Sequence, residues 1–305
     1  MNEQQNPTYS DHVKRSTYIT VSVVLFLIII KLIAYIFTGS ISILSTLADS
    51  VVDFVISFIN LILISISLKP ADDDHRWGHA RLEAVTAFLE GIFLILTSLF
   101  ILYMAAVRMI YPEDIESSSI GIVVMLISIL VTLLLVRYQK TVIQKTSSLI
   151  ISADHVHYKQ DILSNIAVLV ALVLAANFGF TRIDPLMGAL ISFYILFSSI
   201  GIIRNSIDVL LDKEIDDDLK EEIKKIVLSQ VKVEGFHDFK SRRSGGSREN
   251  FFIQMHLEIN KHTSLLESHN ISDAVEEKLK ERFPEIQIIL HVDPSDLVEE
   301  QEWHD

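Results

Sequence analysis

The chain has 305 residues, 50% of them hydrophobic, with a mean hydropathy of +0.40. Its charge is uneven: up to Leu211 there are 13 Lys and Arg against 16 Asp and Glu, and beyond it 13 against 23, so 10 of the 13 net negative charges lie in the last 94 residues. This distribution excludes a single soluble core, a disordered chain and a nucleic-acid-binding module, and predicts a membrane domain followed by a soluble acidic one. Cysteine is absent, which excludes disulfides, iron–sulfur clusters and thiolate metal sites. Any metal here is held by nitrogen and oxygen, a donor set that suits Zn, Fe(II), Mn, Co or Cd rather than Cu(I).

Six apolar runs are long enough to span a bilayer: Thr17–Phe37, Ile41–Leu68, Ala84–Val107, Ile120–Val136, Ile162–Phe178 and Met187–Ile203. The first is too long for a signal-peptide core and lacks a small-residue exit, so it reads as a span, with Lys31 near its far end where a long stem can snorkel. Lys and Arg cluster in alternate connections: Lys14 and Arg15; Lys69, Arg76 and Arg81; Arg137, Lys140 and Lys145; Arg204 and Lys213. The positive-inside rule therefore puts both termini and the acidic domain in the cytoplasm.

Charges inside the spans carry the chemistry. Asp49 and Asp53 are spaced i, i+4 in the second span and project from one face; His157 and Asp161 repeat that spacing at the start of the fifth. A carboxylate at the bilayer centre costs at least about 2.5 kcal/mol, so such residues are expected to be paired and functional. Together they offer three carboxylates and one imidazole, enough for a tetrahedral divalent ion, with Asp49 matched in depth to Asp161 and Asp53 to His157. The bland alternative is two unrelated polar pairs bonded to neighbouring helices. Asp72, His75 and His79, in the turn after the second span, read equally as a zinc site or as solvated charges capping the next helix. Glu90 and His155 read as packing or vestibule residues.

Beyond Leu211 the hydrophobic period changes to give a helix at Leu219–Val231, strands at His237–Ser241 and Asn250–Ile259, a helix at Leu265–Phe283 and a strand at Ile286–His291. That order, αββαβ, predicts a small open-faced sandwich. His237, His256 on the polar face of its strand, His269, and His291 with Asp293 on one strand face make a second candidate metal cluster.

These motifs, in this order and spacing, resemble the cation diffusion facilitator family, and its bacterial zinc/iron branch most of all. The resemblance rests on Asp-x-x-x-Asp in the second span, His-Arg-Trp-Gly-His-Ala-Arg-x-Glu in the loop and His-x-x-x-Asp in the fifth span. In the tail it rests on Val-Glu-Gly-Phe-His-Asp, Phe-Ile-Gln-Met-His-Leu-Glu and His-Val-Asp-Pro, and it spans roughly residues 12–295. It implies an all-α six-helix transmembrane transport domain at 17–211 and a cytosolic α+β, metallochaperone-like dimerisation domain at 212–296, flanked by a segment at 1–16 and an acidic tail at 297–305. It implies a homodimer in the inner membrane, exporting divalent metal (zinc first, with iron(II) and cadmium) against inward protons, with no prosthetic group. It assigns a transport site to Asp49, Asp53, His157 and Asp161, and a loop site to Asp72, His75 and His79. A carboxylate-bridged binuclear cytosolic site falls to His237, His256, His269, His291 and Asp293, where Zn(2+) is regulatory. It also matches Arg81 and Asp212 to an interprotomer charge interlock. Val292 departs from the family's polar residue between the last His and Asp, and Asp49 implies a broader metal range than a histidine would.

Three rival readings are separable. A membrane metallohydrolase needs a His-Glu-x-x-His motif, which is absent. A channel is disfavoured by a site that holds ions tightly. A membrane-anchored metal sensor would leave the four intramembrane ligands without a purpose.

Overall fold

The computed structural model describes residues 9–111, 119–178, 183–247 and 250–296, in two compact units, Met1–Ile207 and Asp208–Asp305. The part of the expected N-terminal segment ahead of Tyr9, the connections at 112–118 and 179–182, and the acidic tail at 297–305 lie outside the described residues.

The first unit contains the helices α1 (Tyr9–Thr38), α2 (Ile41–Ser67), α3 (Arg81–Ile110), α4 (Ser119–Thr146), α5 (Leu149–Phe178) and α6 (Ile183–Leu210, whose last residues belong to the second unit). Five helices among the described residues, α1 to α4 and α6, are long and apolar enough to cross a membrane. Helix α5 has comparable length, but its first half holds Asp154, His155, His157, Lys159 and Asp161. Large apolar side chains such as Phe37, Phe100, Leu130 and Phe197 face outward, as a lipid-immersed bundle requires, where apolar tails rather than water meet the surface.

Small residues let these helices approach closely. A Cβ on Gly91 of α3 would stand 2.7 Å from Ile203 Cγ1 of α6, so glycine sets that crossing. Ala87, Ala153 and Ala167 line the same α3–α5–α6 cluster. Val24, Leu135, Val136, Tyr158 and Ile162 join α1, α4 and α5. The chain reverses between α4 and α5 within two residues, with Ser147 in the left-handed region (φ 55°). There the orphan N-terminal groups of α5 are capped from a distance: Ser148 Oγ and the Leu149 N–H donate to Glu83 Oε1 (2.6 and 2.9 Å), while Tyr9 Oη donates to Glu83 Oε2 (2.5 Å). One buried carboxylate on α3 thus ties α1 to the start of α5.

The second unit has the order α7 (Asp217–Leu228), β1 (Gly235–Arg243), β2 (Phe251–Ile259), α8 (Leu265–Arg282), β3 (Gln287–Pro294). The α+β domain expected after the apolar region is therefore present, with each element within a few residues of its expected bounds. Its three-stranded sheet runs β1-β2-β3, with β1 antiparallel and β3 parallel to β2. Strand β2 alternates strictly: Phe251, Ile253, Met255, Leu257 and Ile259 are buried against Ile223 and Val227 of α7 and Val275 and Leu279 of α8. Each such side chain contributes about 1.5–3 kcal/mol of burial, ample for an independent core. Among the described residues of this unit, both helices pack on that buried face, and His256 and Glu258 stand half-buried on the opposite one.

Candidate metal centres

Helix α2 presents Asp53, and the i, i+4 spacing of α5 presents His157 and Asp161 toward it. His157 Nε2 lies 3.1 Å from Asp53 Oδ1 and 3.9 Å from Asp161 Oδ2, and one donor atom from each residue falls within 4.8 Å of the others. Donor separations on a zinc tetrahedron are ~3.3 Å for bonds of ~2.0–2.1 Å, so the three need only small shifts to share one ion. His157 is buried, and its orientation is held by the ring of Tyr158 edge-on at 5.1 Å. Tyr158 in turn shares a 2.5 Å hydrogen bond with Ser57 of α2, which locks the two ligand-bearing helices in register. Asp53 pairs with His157, the layer expected from depth. Asp49 lies one turn away on α2, is exposed, and stands outside the three-residue group. Rise along a helix separates i, i+4 residues by ~6 Å, so one α2 conformation cannot bring both aspartates equally close to the same imidazole.

Glu90, read from the sequence as a packing or vestibule residue, belongs to a second polar layer with Asn60 and Asp154. Asn60 Nδ2 donates to Glu90 Oε2 and to Asp154 Oδ1, 3.0 Å each, and all three residues are buried. Asp154 precedes His157 by three residues and shares its helix face, a spacing visible in the sequence.

In the turn after α2, Asp72 gathers both histidines. The backbone N–H of His75 donates to Asp72 Oδ1 (2.7 Å), His75 Nδ1 lies 3.3 Å from the same oxygen, and His79 Nε2 lies 3.4 Å from Oδ2. The two rings sit 4.4 Å apart. The His75 amide holds the Asp72 carboxyl below the usual carboxylate range, with the two imidazoles assisting. Gly78, at φ 77°, allows the turn that brings His79 back.

On the open face of the sheet, register does the assembling. His237 pairs with His256 across the antiparallel ladder and His256 with His291 across the parallel one, giving a row of three imidazoles. Ring centroids are 5.1 and 4.7 Å apart. Two residues along, on the same face, Asp293 meets all three: Oδ2 is 2.8 Å from His256 Nδ1 and 3.4 Å from His237 Nε2, and Oδ1 is 3.3 Å from His291 Nε2. Burial raises the Asp293 carboxyl, but the bond to His256 and the charges of the neighbouring imidazoles outweigh it and hold the group below the usual range. Both oxygens are thus engaged, the disposition of a bridging carboxylate. Glu258, not singled out beforehand, lies 3.0 Å from His237 Nδ1. His269 is exposed on α8 beside Asp273 (3.4 Å) and away from this row. Val292 points to the helix side and packs on the core, so the departure at this position does not face the cluster.

Apolar helices enclosing a carboxylate–imidazole cluster, followed by a histidine-bearing α+β unit, define a multi-pass membrane carrier of metal ions. Residues 17–211 match the family model of the cation efflux transmembrane domain, and residues 215–295 that of the cation efflux protein cytoplasmic domain. The cation-efflux pump FieF of Klebsiella pneumoniae is 36% identical over 293 residues, covering 96% of each chain. The FieF pumps of Citrobacter koseri and Yersinia pestis are 38% identical with the same coverage. Among solved structures, the zinc form of CzrB is 27% identical, with a TM-score of 0.26, over 29% of this chain and 98% of that one. The chain belongs to the cation efflux, or cation diffusion facilitator, family; it is a membrane transporter and not an enzyme.

Proposed function

We propose that the protein is a homodimeric exporter of divalent transition metal from the cytosol, zinc above all with iron(II) and cadmium, exchanging metal for protons across a bacterial inner membrane. The observation that supports this most is the juxtaposition of Asp53, His157 and Asp161 between apolar helices, with Asp49 one turn away to complete four ligands. Helix α5 is the sixth span in this reading: from Ile162 to Phe178 it is free of charge. Both termini are cytoplasmic by the distribution of Lys and Arg. The cargo ion is the substrate: imidazole plus carboxylates favour transition metals over Mg and Ca, and protons compete with the ion for the same ligands. FieF pumps are named for cation efflux, and the match to them along nearly the whole chain supports export as the direction.

Proteoliposomes with an imposed pH gradient test this. Zinc, cadmium and iron(II) should accumulate in exchange for protons, while Mg and Ca should not. Zinc flux indifferent to the gradient would remove proton exchange; absence of flux, with zinc bound only by the tail, would favour a sensor instead.

The sheet row of His237, His256 and His291 with Asp293 is proposed as a regulatory zinc centre that favours tail–tail association, without His269, which stands apart on α8. A ligand that binds only the folded, associated state stabilises it by about 2.7 kcal/mol at a hundredfold excess over Kd. In His256→Ala combined with Asp293→Ala, added zinc should raise the melting temperature less and strengthen the dimer less, while flux at saturating zinc persists. Complete loss of flux would make the row part of the transport path; an unchanged zinc response would dismiss it as a metal centre. The turn of Asp72, His75 and His79 is proposed as a third zinc site.

A further inference from the structure

Between Arg15 and the end of α1 at Thr38, Lys31 is the sole charged residue. It does not reach for the membrane surface. Its Nζ donates to the carbonyl oxygen of Thr46 (3.0 Å) and to Ser50 Oγ (2.6 Å), both on α2. Ser50 is buried, and Thr46, Ser50 and Asp53 follow one stripe of α2 at i, i+4, i+7, with Asp49 adjoining it. The ammonium is therefore pinned to the helix turn that carries the aspartates. Ser50 adjoins Asp49 in the chain and lies one helix turn from Asp53, two of the four proposed ligands.

We propose that Lys31 is a built-in counter-cation of the transport site, an inference that rests on the reading of Asp49, Asp53, His157 and Asp161 as that site. When the site is empty, the ammonium offsets part of the charge of three carboxylates in a medium that penalises net charge. When a divalent ion enters, the same ammonium repels it. Held by two acceptors on a neighbouring helix, it cannot swing away to relieve that repulsion. The effect is to weaken metal binding. A carrier needs this, because a site of three carboxylates and an imidazole without it would bind strongly and release slowly. Lys31 touches no cargo in this account; it is a positioning and charge-setting residue.

A purely structural role, stitching α1 to α2, predicts the opposite sign. Removing a stitch loosens the site and weakens metal binding, whereas removing the charge tightens it. The test is zinc titration of the full-length protein at pH 7.5, in a background carrying Asp72→Ala, His256→Ala and Asp293→Ala so that the transport site dominates. Lys31→Gln keeps a hydrogen-bond donor and loses the charge, and should bind zinc at least about tenfold more tightly, since repulsion between a unit charge and a divalent ion at an effective dielectric of ~20 exceeds that factor out to roughly 20 Å. Lys31→Met should shift the same way, and Lys31→Arg should stay within a few-fold of the parent. Unchanged or weaker zinc binding in folded Lys31→Gln or Lys31→Met overturns the proposal. If Asp161→Ala in the same background leaves zinc binding intact, it is the transport-site reading that fails, separately from the role of Lys31.

Discussion

Asp161→Ala is expected to reduce zinc flux into proteoliposomes at least about a hundredfold, while the protein remains folded and inserts normally. Loss of residues that merely orient a ligand typically costs 10–100-fold in metal affinity or activity, so loss of a ligand should cost no less. Insertion should not suffer, because a carboxylate beside an apolar run opposes it and alanine removes that cost. Asp161 lies 3.9 Å from His157, while the shorter bond of His157 runs to Asp53. The substitution therefore leaves the tighter pair intact and isolates the role of a ligand. Asp49→Ala carries the same expectation, and a different lesson. Asp49 stands outside the three-residue group, so near-normal flux in that variant would leave a three-residue site, whereas near-normal flux in Asp161→Ala would dismiss the site as a whole.

The second large effect concerns pH. Zinc binds the deprotonated ligands, so every proton it displaces changes its affinity tenfold per pH unit. With at least one proton displaced, affinity at the transport site should be roughly thirtyfold weaker at pH 6 than at pH 7.5. The sign follows directly: protons load the ligands as pH falls, and metal leaves. If the site faces a neutral cytosol and then a more acidic outside, this competition alone yields exchange. His157→Ala should lower affinity and flatten the dependence, since the imidazole is both a ligand and the group bonded to Asp53. Measurement requires the loop and sheet clusters to be removed by substitution, because they are proposed to bind zinc as well. A transport site whose zinc affinity is constant over that range would leave a metal carrier with no coupling to protons.

Much of this was legible in the residues alone. Apolar runs separated by Lys and Arg announced a helical membrane region. A change of period after Leu211 announced the α+β unit, whose element order and alternating β2 strand appeared as expected. The i, i+4 pairs marked Asp53, His157 and Asp161 because ionised groups are costly in lipid and therefore conspicuous. Other features were illegible because they depend on partners remote in the chain. Nothing near Glu83 reveals that it caps a helix 65 residues further on. The buried bonds from Asn60 to Glu90 and Asp154 exist only because α2, α3 and α5 converge. Lys31 was expected to snorkel because a stem that long can, and only the position of α2 reveals the acceptors it found instead.

The sequence by itself determined which residues are apolar, which faces of helices and strands they share, and hence that charges at Asp53, His157 and Asp161 sit inside a membrane-spanning region. Those properties follow from periods of 3.6 and 2, which are local. The tertiary structure decided which of these faces meet. Parallel pairing of β3 with β2 aligned His291 with His256, and antiparallel pairing aligned His237 with it; a slip of one residue in either would have turned an imidazole to the core side. Likewise the convergence of α2, α3 and α5 brought Asn60 to Glu90 and Asp154. Register and crossing are set by packing between segments far apart in the chain, and local periodicity holds no information about them.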